Sequence, residues 1–264
     1  MRRLVTAVVV AAMMVLSGCG RQVTGLNIPS GGGSGLLPGQ TLIRFETNGP
    51  LDFQNLEYLI VLNTTGNGNQ PFAQGLNSDF KNWTHFFIVG GGTNFANFPQ
   101  LEQVYPDPTS GAPKPYAPTF PGNLVNFQSS VPTANARFAF QITFDRCILD
   151  LPAPSATTQP AACLNGTGPP FNFIASFWNI SLFTLDRTQS PIDSLGTNGP
   201  TDTSYSFAVD TAQVVNTNHF KPASNATVSN PSAQIIGIEV LSEPSTNPPR
   251  PSPSSSPTSV PRAP

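Results

Sequence analysis

His85 and His219 are the two histidines of the chain, and neither stands in a pattern that catalysis needs. His85 lies inside Trp83-Thr84-His85-Phe86-Phe87, an apolar run of strand character. A core imidazole satisfied by a neighbour is the expected role there, not a general base. His219 lies in Asn216-Thr217-Asn218-His219-Phe220 and reads as a surface turn. A serine nucleophile would call for a Gly-x-Ser-x-Gly elbow and a zinc hydrolase for His-Glu-x-x-His; both motifs are missing. Asp193, Asp202 and Asp210 fall near one another among Gly and Asn. Such carboxylates can contribute to a hard-cation site, but their spacing follows no EF-hand loop, and solvated loop acids describe them better. Nothing selects a carboxylate pair for glycoside hydrolysis. Trp83, Trp178 and the tyrosines could stack on sugars, yet with 19 Phe in the chain the aromatics are expected to build the core. No catalytic residue, metal site or cofactor is therefore assigned. Asn63, Asn82, Asn165, Asn179 and Asn225 head Asn-x-Ser/Thr triplets, which reflect how common Asn and Thr are.

The N-terminus carries the most specific signal. Arg2 and Arg3 precede an apolar run from Leu4 to Leu16 that only Thr6 interrupts. The charged start and the run length are those of a signal peptide. The run is too short for a bilayer core, which takes about 20 apolar residues. Leu16-Ser17-Gly18-Cys19 follows and resembles the lipobox of bacterial lipoproteins. The resemblance covers residues 1–19. It implies diacylglycerol on the Cys19 thiol, cleavage after Gly18 and fatty acylation of the new amine. Two or more acyl chains hold a protein stably on a membrane, where one does so only marginally. Gly20 occupies the place where an Asp would resemble an inner-membrane retention signal, so an outer membrane or cell surface is favoured.

With Cys19 committed to lipid, Cys147 and Cys163 remain, an even number in a compartment that permits oxidation. A disulfide between them is expected, worth up to ~3 kcal/mol for a loop of this size. Removal of residues 1–18 leaves 10 basic against 14 acidic residues, a net charge of about −4. Only 10% of residues are charged, so Asn, Gln, Ser and Thr must supply the polar surface. A basic patch is lacking, which argues against nucleic acid as a partner.

Four segments follow. Residues 1–18 are the signal peptide, and 19–39 are the lipidated Cys and a Gly-rich tether. Residues 40–243 are a single all-β domain, and 244–264 form a Pro- and Ser-rich tail that cannot bury enough surface to order itself. Inside the domain, Phe138, Phe140, Ile142 and Phe144 alternate with smaller or polar residues, as a half-buried strand does. Tyr205, Phe207 and Val209 repeat the pattern. Leu56–Leu62 and Trp83–Val89 are nearly continuous apolar runs, expected for strands covered on both faces. Leu42–Glu46 and Ile235–Leu241 complete the set. Phe171–Leu185 changes apolar phase near Phe177-Trp178, which predicts a bulge or bend. Asp210–Val215 could form one helical turn. An antiparallel β-sandwich or jelly-roll-like domain with long Pro/Gly-rich loops fits best.

Gly90–Ala136 holds eight prolines and reads as a long loop with little regular structure. Six of its residues are aromatic. Tyr105 and Tyr116, beside Pro106 and Pro115, are its candidate contact residues for a partner. The functional expectation is a membrane-anchored module that binds or scaffolds an envelope protein, a cell-wall polymer or a glycan. The alternative is an exported hydrolase acting on an envelope or extracellular polymer.

Overall fold

The apolar run that starts at Leu56 forms the centre of the fold. It is strand β2 (Leu56–Asn63), and all eight of its residues are buried. The computed structural model describes residues 35–73, 75–76, 80–91, 99–106, 112–116, 125–131, 138–149, 175–202, 207–221 and 228–245. The other strands are β1 (Gln40–Thr47), β3 (His85–Gly90), β4 (Gln100–Pro106), β5 (Pro113–Tyr116), β6 (Val125–Gln128), β7 (Phe138–Asp145), β8 (Phe177–Asp186), β9 (Pro191–Ser194), β10 (Phe207–Asp210), β11 (Val215–Phe220) and β12 (Ile235–Ser242). They make two antiparallel sheets packed as a sandwich. One has the order β11-β12-β1-β7-β6; the other has the order β10-β8-β2-β3-β4-β5, with β9 sharing the β8 edge.

Two apolar clusters explain why β2 is buried on both faces. Between the sheets lie Ile43, Phe45, Tyr58, Ile60, Phe87, Phe140, Ile142, Phe144, Trp178, Ile180 and Leu182, with their neighbours. Phe45 stacks on Phe140 at 5.1 Å, and Tyr58 meets both rings edge-on. On the opposite face of the seven-stranded sheet, Leu59, Val61, Phe86, Ile88, Phe183 and Leu185 are covered by Ala73, Phe80 and Trp83. Covering both faces replaces period-two alternation with an unbroken apolar run.

The same arrangement corrects the expected bulge at Phe177-Trp178. β8 runs through without one there: Trp178, Ile180 and Leu182 face the inter-sheet core, and Phe183 and Leu185 serve the second cluster. Phe177 is 36% exposed at the strand's start, so it never needed to face the core. Its recorded irregularity lies further on, between Thr184 and Leu185 against β9. Phe138 departs from expectation too; it opens β7 at 41% exposure, while Phe140, Ile142 and Phe144 are buried.

Gly90–Ala136 is more regular than its composition suggests, because it supplies β4, β5 and β6. Its strand prolines are tolerated because Pro113 and Pro115 lie in the edge strand β5 and Pro106 ends β4. Pro113 and Pro115 have no N–H, so the ladder to β4 must run through Lys114 and Tyr116. The outer side of β5 then lacks those two donors, which blunts the edge against further strand pairing. β11 is the other strand that the sequence read as a turn. Asn216, Asn218 and Phe220 face outward, Thr217 and His219 lie on the less exposed face, and β12 holds the strand over Val215–Phe220.

The sandwich has two poles. β1 begins and β12 ends at one of them, where Gly39 N–H donates to the Glu243 carbonyl at 3.2 Å and Glu243 N–H donates to Gln40 at 3.0 Å. This near pole also takes the end of β10 and the start of β11, since Val215 pairs with Ser242. The far pole holds the turns after β1, β8 and before β12.

Candidate functional site

The near pole is built around Arg146. β7 ends at Asp145, and the chain tightens into a 3-10 turn over Arg146–Leu149. The Asp145 carboxylate accepts the Cys147 N–H at 3.0 Å, which seats this turn. Ile148 and Leu149 are drawn into the core, and Arg146 goes with them, at 0% exposure. Its guanidinium donates to three backbone carbonyls: Gly39 at 3.1 Å, Glu243 at 2.7 Å, and Thr211. Gly39 precedes β1, Glu243 follows β12, and Thr211 opens the β10–β11 turn. One side chain thus ties together the point where the chain enters the sandwich, the point where it leaves, and the corner between the sheets. Burial pushes the guanidinium down to about 10 while Asp145 opposes the change, so Arg146 stays a cation at neutral pH.

The far pole is a set of mutually bonded turns. Asp52 accepts the N–H groups of Gln54 and Asn55. Asp186 accepts those of Thr188 and Ser190, and hydrogen bonds from this turn hold its carboxyl below the usual range. Arg187 Nε donates to the Gln54 carbonyl at 2.9 Å and joins the two turns. Tyr58 accepts the Asp52 N–H and donates to the Ser232 carbonyl. Short Asx-type bonds of this kind order loops without large apolar residues. Below them, Lys221 donates to Asp193 and to the Ser194 carbonyl, each at 2.6 Å, and Asp193 also accepts the Ile235 N–H. Both side chains of this ion pair are almost wholly buried, and it couples β9 of one sheet to β11 and β12 of the other. Burial raises the Asp193 carboxyl, and Lys221 pulls it back.

The three acids that the sequence grouped are therefore separate in role. Asp193 is a buried ion-pair partner and no solvated loop acid. Asp202 accepts the Asn198 N–H, and Asp210 accepts the Ala212 N–H. Among the described residues, no group of three or more His, Cys, Asp or Glu converges as metal ligands do.

His85 is a core histidine, as its apolar surroundings suggested. Its Nδ1 lies 3.1 Å from the Thr84 hydroxyl, and its Nε2 is buried without a hydrogen bond of good geometry. The Leu149 backbone favours the charged form, but burial outweighs it and pushes the imidazole down to about 3. His219 is no turn residue: it sits in β11, with its ring centre 6.2 Å from that of Phe207, and burial lowers its pKa. Both tryptophans are buried, Trp83 donating to the Phe72 carbonyl and Trp178 to that of Ala175, so neither offers a face to a sugar. Asn63, Asn82 and Asn179 are likewise committed, their side-chain amides donating to the carbonyls of Asn69, Gln70 and Asn69.

Tyr105 lies opposite Lys114 and Tyr116 opposite Gln103 in the outermost hairpin of the seven-stranded sheet. Cys147 is half-buried against the inter-sheet core. Cys19 and Cys163 lie outside the described residues. Sequence reasoning passed over Arg146 and Lys221. The available signal was a cation beside an apolar run, in a chain where charge is scarce. No protein-family model, curated protein or solved structure matches this chain.

Proposed function

We propose that this chain is a lipid-anchored extracytoplasmic module that binds or scaffolds a partner, held on an outer membrane or cell surface through Cys19. The observation that carries the reading is the shared exit of both chain ends at the near pole, locked by Arg146. A tether reaching that pole, roughly 25 Å root-mean-square for twenty flexible residues, leaves the far pole directed outward. The turns there are ordered in advance, which lowers the entropy lost when a partner binds. The partner class is an envelope protein, a cell-wall polymer or a glycan. Tyr105 and Tyr116, on the edge hairpin, are the second contact region that the sequence favours. Cys147 is proposed to bridge to Cys163 and so to fasten the segment that follows the Arg146 turn.

Photocrosslinkers placed in living cells at Gln54, Thr188, Tyr105 and Tyr116 test the reading, with Ala212 at the near pole as the control. The same discrete adduct from the far-pole or hairpin positions, and none from Ala212, is expected. No adduct from any of the four, or turnover of an envelope polymer by the purified chain, would overturn it.

A further inference from the structure

The near pole carries exposed apolar side chains that the sandwich does not use. Leu37 is 63% exposed, Val214 is 53% exposed and Phe177 is 36% exposed. Leu37 and Val214 stand on two turns that Arg146 ties together, while Phe177, next to the core-facing Trp178, faces the outer side of its sheet. Leu37 precedes Gly39 by two residues, and Val214 follows Thr211 by three; the carbonyls of Gly39 and Thr211 share the Arg146 guanidinium. Phe177 pairs with Asp210, and Thr211 N–H donates to the Ser176 carbonyl at 2.9 Å. Leu37 is held in its turn, its N–H donating to the Gln40 side chain at 3.0 Å. The residues next to the two tips, Leu36, Pro38, Ala212 and Gln213, carry no charge, and the charged side chains near them, Asp210 and Glu243, are acidic. The far pole also has exposed apolar side chains, Phe138 at 41% and Phe220 at 47%, beside turns built from Gln54, Asn55, Arg187 and Thr188, so the tether and not apolar exposure chooses between the poles.

We propose that the near pole is a membrane-docking surface whose occupant is the lipid bilayer itself, with Leu37 and Val214 seated at the headgroup boundary. The inference rests on the lipid-anchored reading. Cys19, the proposed lipid-bearing residue, precedes Leu37 by 18 residues in sequence. The tether therefore holds this pole, and no other, at a high effective concentration over the bilayer. A surface of a few apolar side chains is too small to hold a protein on a membrane alone, but it can orient one already anchored. Docking without basic residues around the tips calls for neither anionic lipid nor low salt.

Brominated-lipid quenching of full-length lipidated protein in phosphatidylcholine vesicles tests this. Val214→Trp and Leu37→Trp place reporters at the near pole and Thr188→Trp at the far pole, while Trp83 and Trp178 give a buried constant background. The expected result is co-flotation with the vesicles and loss of V214W and L37W emission, undiminished in high salt, with T188W unchanged. Co-flotation with no quenching at either near-pole position overturns the docking and leaves the anchor standing. Protection of V214W from acrylamide in protein without vesicles also overturns it, because a second copy or another protein then covers the pole. Failure to float overturns the anchor and the docking together.

Discussion

Each pole of the sandwich buries one cation, and the two are solvated in opposite ways. Arg146 at the near pole has backbone carbonyls around it, contributed by segments more than 200 residues apart in sequence. Lys221 below the far pole has a carboxylate, Asp193, with carbonyl support from Ser194. A planar guanidinium presents five donors in a fork and can join three strands of chain at once. A lysine ammonium is a point charge and joins two sheets through a single ion pair. The near pole is thus tied by a charge among dipoles, which suits a junction where the chain ends are fastened; the far pole is tied by charge compensation beneath turns that stay polar and exposed.

The two ties should break differently. Arg146→Met removes the guanidinium hydrogen bonds to Gly39, Thr211 and Glu243 and leaves the Thr211 carbonyl, buried with its residue, without that donor. A cost of about 3–5 kcal/mol is expected, or a fall of roughly 10 °C in melting temperature for a domain of this size. Asp145, buried beside Arg146, loses the neighbouring charge that holds its raised carboxyl down, so part of the deficit relative to wild type should shrink between pH 7 and pH 5 in thermal melts, while the part due to the lost carbonyl hydrogen bonds should not. Lys221→Met leaves the buried Asp193 carboxylate without its cation, at a cost of about 3 kcal/mol at pH 7. The folded-state pKa of Asp193 is already raised and should rise further, so the carboxyl takes up a proton as pH falls. The gap to wild type should therefore close on acidification, and further than that of Arg146→Met, because Lys221 is both hydrogen-bonded to and paired with its carboxylate whereas Arg146 spends its hydrogen bonds on carbonyls.

An effect that is smaller per pH unit separates the core from both ties. The unfolded His85 imidazole protonates near 6.5, whereas burial holds the folded one to about 3. Between those values the unfolded chain binds the extra proton, so stability is lost as pH falls through that window, by at most about 1.4 kcal/mol per pH unit. His85→Phe should remove this component from a series of urea titrations. An unchanged acid limb would show that His85 finds a partner in solution.

The legible parts of the fold were those whose side chains announce their surroundings. β2, β3 and β7 are visible because their apolar residues either alternate or run on without a break. β11 was not, since Asn216, Asn218 and His219 give no apolar period; its strand form comes from the ladder that β12 offers. β5 was hidden by its prolines, which are compatible only with an edge that sequence alone does not locate. Arg146 is the clearest case of what sequence withholds. Its partners are backbone carbonyls of Gly39, Thr211 and Glu243, and a carbonyl has no residue type to read. For His85 the reverse held, because the apolar run around it already dictates burial.

The proposed orientation of the two poles rests on the proposed fastening of the chain at Cys19, and the covalent state of the mature N-terminus tests that most directly. Intact-mass analysis of the membrane fraction should show a chain beginning at Cys19 with diacylglycerol and fatty acyl groups added. Cys19→Ala should accumulate as the uncut, lipid-free precursor. A wild-type chain recovered soluble and without lipid, or retaining residues 1–18, would contradict the account.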